Sequence, residues 1–353
     1  MNIKDIWLIT NYSCNNRCKW CYTNEMGFPK DVMPIKFAEE VLREAAANGV
    51  RRCTLIGGEP LLYPHIFELL KYGSDIGIIM KVVTNAILLK DENMVRRLVN
   101  SGLSMLAISI HGVDAISYSA NTQTDRLNDV FLAIQNMQKS QVEYTTLTTL
   151  NELNAGDIYD IAICLHKLGV QNIVYNIAVP TSSSDFSNYS LSYDKLASII
   201  QKNYIKLKKD GIKVSFYASI PLCFFEDNIL DNMINEGYLV PLSRGGCNIY
   251  DASGFAIDPF GHVIPCCKEI KTSLMNTMDT RGDFLYAGNF NNIVNAVEKY
   301  CSRAVQLTTL EECKDCNKKS DCIGGCLKFW EYDPSLPEII KSHKHKLPCR
   351  ELK

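Results

Sequence analysis

The placement of the cysteines limits this chain more than any other feature. Fifteen occur in 353 residues: three within residues 14–21, nine from Cys247 to the end, and Cys53, Cys164 and Cys223 scattered between. The N-terminal MNIKDIWLITNYSC has no apolar run of signal-peptide length, and nothing elsewhere approaches the roughly 20 apolar residues of a membrane span. The expectation is therefore a cytoplasmic protein with no membrane partner. The cytosol keeps thiols reduced, and a chain of this size with 46% hydrophobic residues buries a core without covalent staples. Metal binding in two separate regions is the better use for these thiols. A net charge of −2 supplies no field to hold a phosphate backbone, so nucleic acid is not an expected partner.

From residue 5 to about 180, short β-branched runs alternate with helix-length amphipathic segments, the pattern of β/α units around a parallel sheet. Six strands are expected, at 6–10, 52–57, 80–84, 105–110, 145–150 and 172–177. Helical patterns lie between them, among them 35–49, 91–102, 127–138 and 157–169. Six units fall short of the eight of a closed barrel, so the fold class is α/β, a partial (β/α)6 TIM barrel open at one side, with its chemistry at the strand C-terminal ends. Polar residues 181–190 read as a linker, helical pattern resumes at 192–209, and past Arg244 the texture turns to Gly, Asn, Asp and Cys. The expected divisions are a barrel core at 1–180, a bridging region at 181–240 and a small metal-stapled domain at 241–353.

Cys14, Cys18 and Cys21 have the spacing C-x3-C-x2-C. Three thiolates on a four-iron cubane leave one iron without a protein ligand, which invites an external chelator. Zinc is the competitor, but a structural zinc site is closed by four ligands, and the nearest histidine, His65, is far along the chain. Gly57-Gly58-Glu59-Pro60 follows the second strand, Thr84-Asn85 the third, and Ser109 ends the fourth. All of these fall at the same rim as the cysteines.

The stretch CNNRCKWC resembles the signature of the radical S-adenosylmethionine (SAM) superfamily, with Trp20 as its aromatic residue. The resemblance implies a [4Fe-4S] cluster on Cys14, Cys18 and Cys21 whose open iron is chelated by SAM, and which splits SAM into methionine and a 5′-deoxyadenosyl radical. It implies that Trp20 lies beside the adenine; the alternative is an ordinary core residue. Gly57, Gly58 and Glu59 resemble the family's GGEP motif, which contacts the SAM amino group, and Thr84, Asn85 and Ser109 stand where the family often contacts SAM, with strand-end capping as the alternative. His111 follows where many relatives have Asp and has no assigned chemistry.

The C-terminal cysteines run Cys247, Cys266, then Cys313-x2-Cys316-x5-Cys322-x3-Cys326, and Cys349. This pattern resembles the SPASM domain, a seven-cysteine extension of some radical SAM enzymes that carries two auxiliary clusters, giving three [4Fe-4S] clusters in all. By resemblance, Cys313, Cys316, Cys322 and Cys349 hold a distal cluster and Cys247, Cys266 and Cys326 a proximal one, which is left one ligand short. Cys267, Cys223, Cys301 or a substrate atom would complete it. A zinc ribbon is the competing use of such thiols. Cys53 and Cys164 match no motif and read as small buried residues.

Family precedent makes the expected reaction hydrogen abstraction from a ribosomal peptide or protein side chain, ending in a crosslink or an oxidised residue. The alternatives are a peptide epimerase, a small-molecule radical SAM epimerase or dehydrogenase, and an iron-sulfur carrier or sensor without turnover. The expected partners are the peptide or protein substrate and an external electron donor of flavodoxin or ferredoxin type. Many crosslinking relatives begin with a leader-binding region, whereas the first strand here starts near residue 6, so the expectation is that a leader is bound by a separate leader-binding protein, by the barrel itself, or not at all. No general base is legible.

Overall fold

The computed structural model describes residues 3–181, 188–217, 219–241, 243, 247–322 and 324–344. Strand β1 (Asp5–Asn11) is buried on both faces from Leu8 onward, as a central strand of a parallel sheet must be. It pairs in parallel with β2 (Arg52–Gly57) on one side, Leu8 against Leu55. The sheet continues in parallel through β3 (Ile79–Thr84), β4 (Leu103–Ser109), β5 (Glu143–Leu150) and β6 (Ile173–Ile177). All six expected strands form within about two residues of their sequence bounds.

The parallel sheet extends past these six at both edges. Strand β7 (Ser215–Tyr217) adds to β6, and β8 (Gly254–Ile257) adds to the free side of β1, with Leu8 paired to Ile257. Two short antiparallel strands, β9 (His262–Ile264) and β10 (Met275–Asn276), follow β8, giving the order β10-β9-β8-β1-β2-β3-β4-β5-β6-β7. The two edges are different strands, so the sheet curls without closing. Because β8 lies beyond residue 241, the C-terminal segment is joined to the barrel through β1 itself, the strand that delivers the first cysteines.

Helices cover the outer face. Helix α1 (Ile35–Ala47) buries Phe37, Val41, Leu42 and Ala45, spaced at three and four residues, each large side chain contributing about 1.5–3 kcal/mol. Helix α2 spans Ile66–Asp75, and α3 (Glu92–Asn100) is capped by the Asp91 carboxylate, which accepts from the Asn93 N–H at 2.9 Å. Helix α4 (Ala115–Thr122) starts in a capping box between Asp114 and Ser117. Helices α5 (Leu127–Lys139), α6 (Ile158–Lys167) and α7 (Tyr193–Lys209) complete the barrel's cover. One large core joins barrel and C-terminal segment, and a second, small cluster of Ile9, Tyr12, Ile56, Ala256, Ile264 and Ile270 fills the top between β1, β2, β8 and β9. Among the described residues, no helix is long and apolar enough to cross a membrane.

Candidate active site

Chain leaving β1 forms the loop of Cys14, Cys18 and Cys21, and α4 holds it from outside. The Arg17 N–H donates to the Thr122 carbonyl at 3.0 Å, the Lys19 N–H to Asn121 at 3.3 Å, and the Gln123 amide to the Arg17 carbonyl at 2.8 Å. Thr124 donates its hydroxyl to Asn16 Oδ1 at 2.8 Å. Each thiol lies in the field of another: Cys14 in that of Cys21, and Cys18 in those of both. Burial pushes the Cys14 thiol up to about 11, and burial followed by its two neighbours pushes Cys18 up. Thiolates held this close together repel, and a bound metal would supply the positive charge that offsets the repulsion.

Cys14, Cys18 and Cys21, the three thiols of this loop, are the residues that could hold the four-iron cluster the sequence resemblance implies. Donors also face the sulfurs, as cluster sites require: the Asn16 N–H reaches Cys14 Sγ at 3.3 Å and the Asn85 amide reaches it at 3.7 Å, while Cys21 Sγ and the Thr23 hydroxyl are 3.0 Å apart.

Gly57 and Gly58 are demanded by backbone contact. Gly57 has φ of +143°, and a Cβ there would stand 2.2 Å from the Asn11 carbonyl oxygen; one on Gly58 would stand 2.2 Å from that of Ser13. The Gly58 N–H donates to Asn11 O at 2.9 Å and the Glu59 N–H to Ser13 O at 2.8 Å, so this turn clamps the root of the cysteine loop. The resemblance implies a contact with the SAM amino group for this motif; within the chain, the glycines pack against the cysteine loop.

Glu59 is 1% exposed and engaged on both oxygens. Oε1 accepts from the Leu61 N–H at 2.9 Å and the Thr84 hydroxyl at 2.7 Å, and Oε2 accepts from the Asn85 N–H at 2.8 Å. Its carboxyl, pushed up to about 7 by burial against those three donors, ties the exit of β2 to that of β3. The Asn85 side chain is thereby aimed at the cysteine loop, where it donates to Asn15 Oδ1 at 2.6 Å. Ser109 is half-buried at the end of β4. Trp20 is buried and meets the His111 ring edge-on at 4.9 Å between centroids. His111 Nδ1 accepts from the Thr149 N–H at 3.3 Å, which places the ring proton on Nε2, and burial holds the ring neutral by lowering its pKa to about 3.

The C-terminal cysteines gather into two groups. Cys247, Cys266 and Cys326 share one neighbourhood with Cys267: Cys266 and Cys267 are hydrogen-bonded, Cys247 lies in the field of Cys267, and Cys326 in that of Cys247. Cys301 is buried on α10 (Phe290–Leu307) beside Cys247; the preceding helical turn, α9, spans Asn248–Asp251 and α8 spans Asp227–Asn235. Cys313, Cys316 and Cys322 form the second group, and Cys223 stands with them, not with the proximal set. Cys349 lies outside the described residues. Cys53 is fully buried in β2 and Cys164 half-buried on α6, both remote from these groups in the sequence.

Tyr22 joins the two cysteine regions. It follows Cys21, donates its hydroxyl to the Gly57 carbonyl at 3.3 Å, and lies in the fields of Cys21 and Cys14 as well as Cys267. Lys268 caps its ring at 5.0 Å, and Lys271 pairs with Glu25 one turn on. A cavity of about 730 Å³ runs along the barrel lumen past Thr54, Lys81 and Asn176 to Cys266, Cys267 and Cys326. Asn176 Oδ1 is buried without a hydrogen-bond partner, and burial lowers the Lys81 pKa. Sequence reasoning missed Tyr22, Asn176 and Lys81, which no motif marks.

Residues 8–165 match the family model of the Radical SAM superfamily. This stretch is a radical SAM domain. Relatives of the domain include an AdoMet-dependent heme synthase of Methanosarcina barkeri, 27% identical over 52% of this chain and 52% of that protein. A probable GTP 3',8-cyclase of Thermococcus kodakarensis is 26% identical over 54% of this chain and 62% of that protein. The chain thus spans between half and two thirds of the length of these relatives. Beyond the domain, the fold likeness is nearly chain-wide. Streptococcus suis SuiB bound to precursor peptide SuiA has a TM-score of 0.69 at 16% identity, covering 94% of this chain and 73% of that one. The enzyme anSMEcpe with bound AdoMet and Cp18Cys peptide has a TM-score of 0.69 at 18% identity, covering 98% and 100%.

Proposed function

We propose that this protein is a SAM-cleaving enzyme that abstracts hydrogen from a peptide or protein side chain and leaves a crosslink or an oxidised residue. The observation that carries this reading is the arrangement of a three-thiol loop at the exit of β1 and a lumen cavity bordered by a second cysteine group. With cluster and SAM bound, the first site supplies a 5′-deoxyadenosyl radical after one-electron reduction. Cys14, Cys18 and Cys21 hold that cluster; Gly57, Gly58 and Glu59 fix the loop and aim Asn85 at it; Trp20 and Ser109 border the rim where SAM would lie. Cys247, Cys266, Cys267 and Cys326 hold a proximal auxiliary cluster at the cavity wall, placed to take an electron from the substrate after hydrogen abstraction.

The chain's own residues prepare the cavity for an amide. Asn176 Oδ1 has no donor, and a peptide N–H would satisfy it, a buried acceptor left alone costing about 1–3 kcal/mol. The two peptide-bound neighbours, SuiB with SuiA and anSMEcpe with Cp18Cys, support a peptide as substrate. An external reductant of flavodoxin or ferredoxin type feeds the first cluster, and a separate protein delivers a leader if the substrate has one. The cytoplasm, where thiols stay reduced, suits all three clusters.

A metabolite as substrate is favoured by one observation, the match to a GTP 3',8-cyclase of Clostridium perfringens, 24% identical over 64% of this chain and 76% of that protein. Anaerobic incubation of the reconstituted protein with SAM, reductant and peptides encoded near its gene, in heavy water, separates the readings by mass spectrometry. Loss of two hydrogens supports the proposal. One deuterium gained makes the protein an epimerase, and unchanged peptides with turnover of a nucleotide make it a metabolite enzyme. Failure to release 5′-deoxyadenosine under any condition would sink the enzymatic reading.

A further inference from the structure

Cys223 belongs to the bridging region, which carries no motif, and its sequence neighbours Leu222 and Phe224 give it the look of a core residue. Its surroundings are of another kind. Its thiol lies in the fields of Cys322, Cys313 and Cys316, three thiols that arrive from 90 or more residues further along the chain. The backbone makes the link directly: the Leu222 N–H donates to Cys322 Sγ at 3.3 Å, the kind of N–H···S bond that surrounds cluster thiolates.

The turn that presents Cys223, the 3-10 segment Leu222–Phe224, is fixed on both sides. Tyr193 of α7 meets the Phe224 ring edge-on at 5.5 Å, and His343 of α12 (Leu336–Lys344) stacks on it at 4.3 Å. The Cys326 N–H, on the chain entering α11 (Leu327–Tyr332), donates to the Ser219 carbonyl at 3.2 Å. Thus the segment before Cys223 is tied to the proximal cysteines and the turn carrying it to the distal ones. Four thiols from two distant stretches converge, the number a closed cubane takes.

We propose that Cys223 is the fourth protein ligand of the distal auxiliary cluster, with Cys313, Cys316 and Cys322, and that Cys349 is not required for that cluster. This rests on the reading of the C-terminal cysteines as iron-sulfur ligands. Each thiol gives up its proton on binding iron, and the cluster then staples the bridging region to the C-terminal segment.

The test uses the full chain with Cys14, Cys18 and Cys21 all changed to Ala, so that only auxiliary clusters remain, reconstituted with iron and sulfide. The expected content is about eight irons per chain, two four-iron clusters. Cys223→Val, which keeps an apolar residue of similar size, is expected to lower this to about four irons or to convert one cluster to a three-iron form visible by electron paramagnetic resonance. Cys223→Ser is expected to shift one of the two reduced-cluster spectra and leave the other, a signature that simple packing would not give. Cys349→Ala is expected to keep all eight.

Full iron and unchanged spectra in both Cys223 variants overturn the proposal, as does loss of four irons in Cys349→Ala. Retention of the proximal cluster's spectrum shows that a variant has folded. A parent protein that binds no iron beyond the first site fails at the earlier step and takes down the auxiliary-cluster reading together with this assignment.

Discussion

The two cysteine regions are held in opposite ways. The Cys14–Cys21 loop is fixed by backbone: Gly57 and Gly58 press against its root at distances no side chain would allow, and α4 accepts its amides. Most of the C-terminal cysteines sit on short turns and are fixed by what they share, thiol beside thiol, with the Cys326 N–H donating to the Tyr193 hydroxyl and the Leu222 N–H to Cys322 Sγ. The count differs as well. Cys14, Cys18 and Cys21 have one another as cysteine neighbours, whereas among the described residues each C-terminal group gathers at least four thiols. A site preformed by the fold tolerates an open position for a substrate, while sites closed by their ligands suit electron transfer.

The largest expected effect separates the regions outright. Cys18→Ala should abolish 5′-deoxyadenosine release while leaving the auxiliary iron bound, and Cys266→Ala should leave SAM cleavage measurable while ending formation of the oxidised product. Product assay by mass spectrometry beside iron analysis reads both. If Cys266→Ala also ends SAM cleavage, the two regions are one functional unit and the division drawn between them is wrong.

Next comes Gly58→Ala. The added Cβ would lie 2.2 Å from Ser13 O and 2.4 Å from Tyr12 O, both backbone atoms that cannot swing aside. The cost is about 3 kcal/mol or more, by analogy with the upper range for overpacking. The expected outcome is loss of the first cluster's iron with the auxiliary iron retained. Equal iron in variant and parent would show that the loop does not need its backbone clamp.

How far the sequence discloses this arrangement depends on length and burial. The six central strands are long enough for their apolar pattern to register, and GGEP and the cysteine spacings carry the rim. Strands β7 and β8 have three and four residues, too few for a period, and β8 is buried on both faces, so Gly254–Ile257 shows no alternation. The partner of Cys223 is about 90 residues away, and no local spacing signals it. Glu59 is legible as a motif residue, yet its grip on Thr84 and Asn85 depends on the β2–β3 register, which only folding supplies.

The acid-base behaviour of the rim sharpens the contrast on a smaller scale. Burial raises Glu59 from 4.5 to about 7, so its contribution is full below 4.5 and is lost as pH rises to 7, about 3 kcal/mol in all. His111 is lowered from 6.5 to about 3, so its contribution is full above 6.5 and is lost as pH falls, about 1.4 kcal/mol per unit. Between 4.5 and 6.5 the two slopes cancel. Thermal unfolding of the apo-protein should therefore be flat across that window and fall on either side. His111→Asn should remove the decline on the acid side; if the decline persists unchanged, it belongs to other groups.

Tyr22 is the smallest perturbation and the one placed between the regions. Tyr22→Phe keeps the ring under Lys268 and removes only the hydroxyl that reaches the Gly57 carbonyl at 3.3 Å, worth about 0.5–1.5 kcal/mol. Since the ring still fills the space between Cys21 and Cys267, all clusters should assemble, and SAM cleavage should stay within a few-fold of the parent. The hydroxyl is the link to the glycine clamp, so its loss should register as a lower unfolding temperature and not as missing iron. A drop in proximal-cluster iron would mean that the C-terminal region, too, takes its order from the backbone clamp at Gly57.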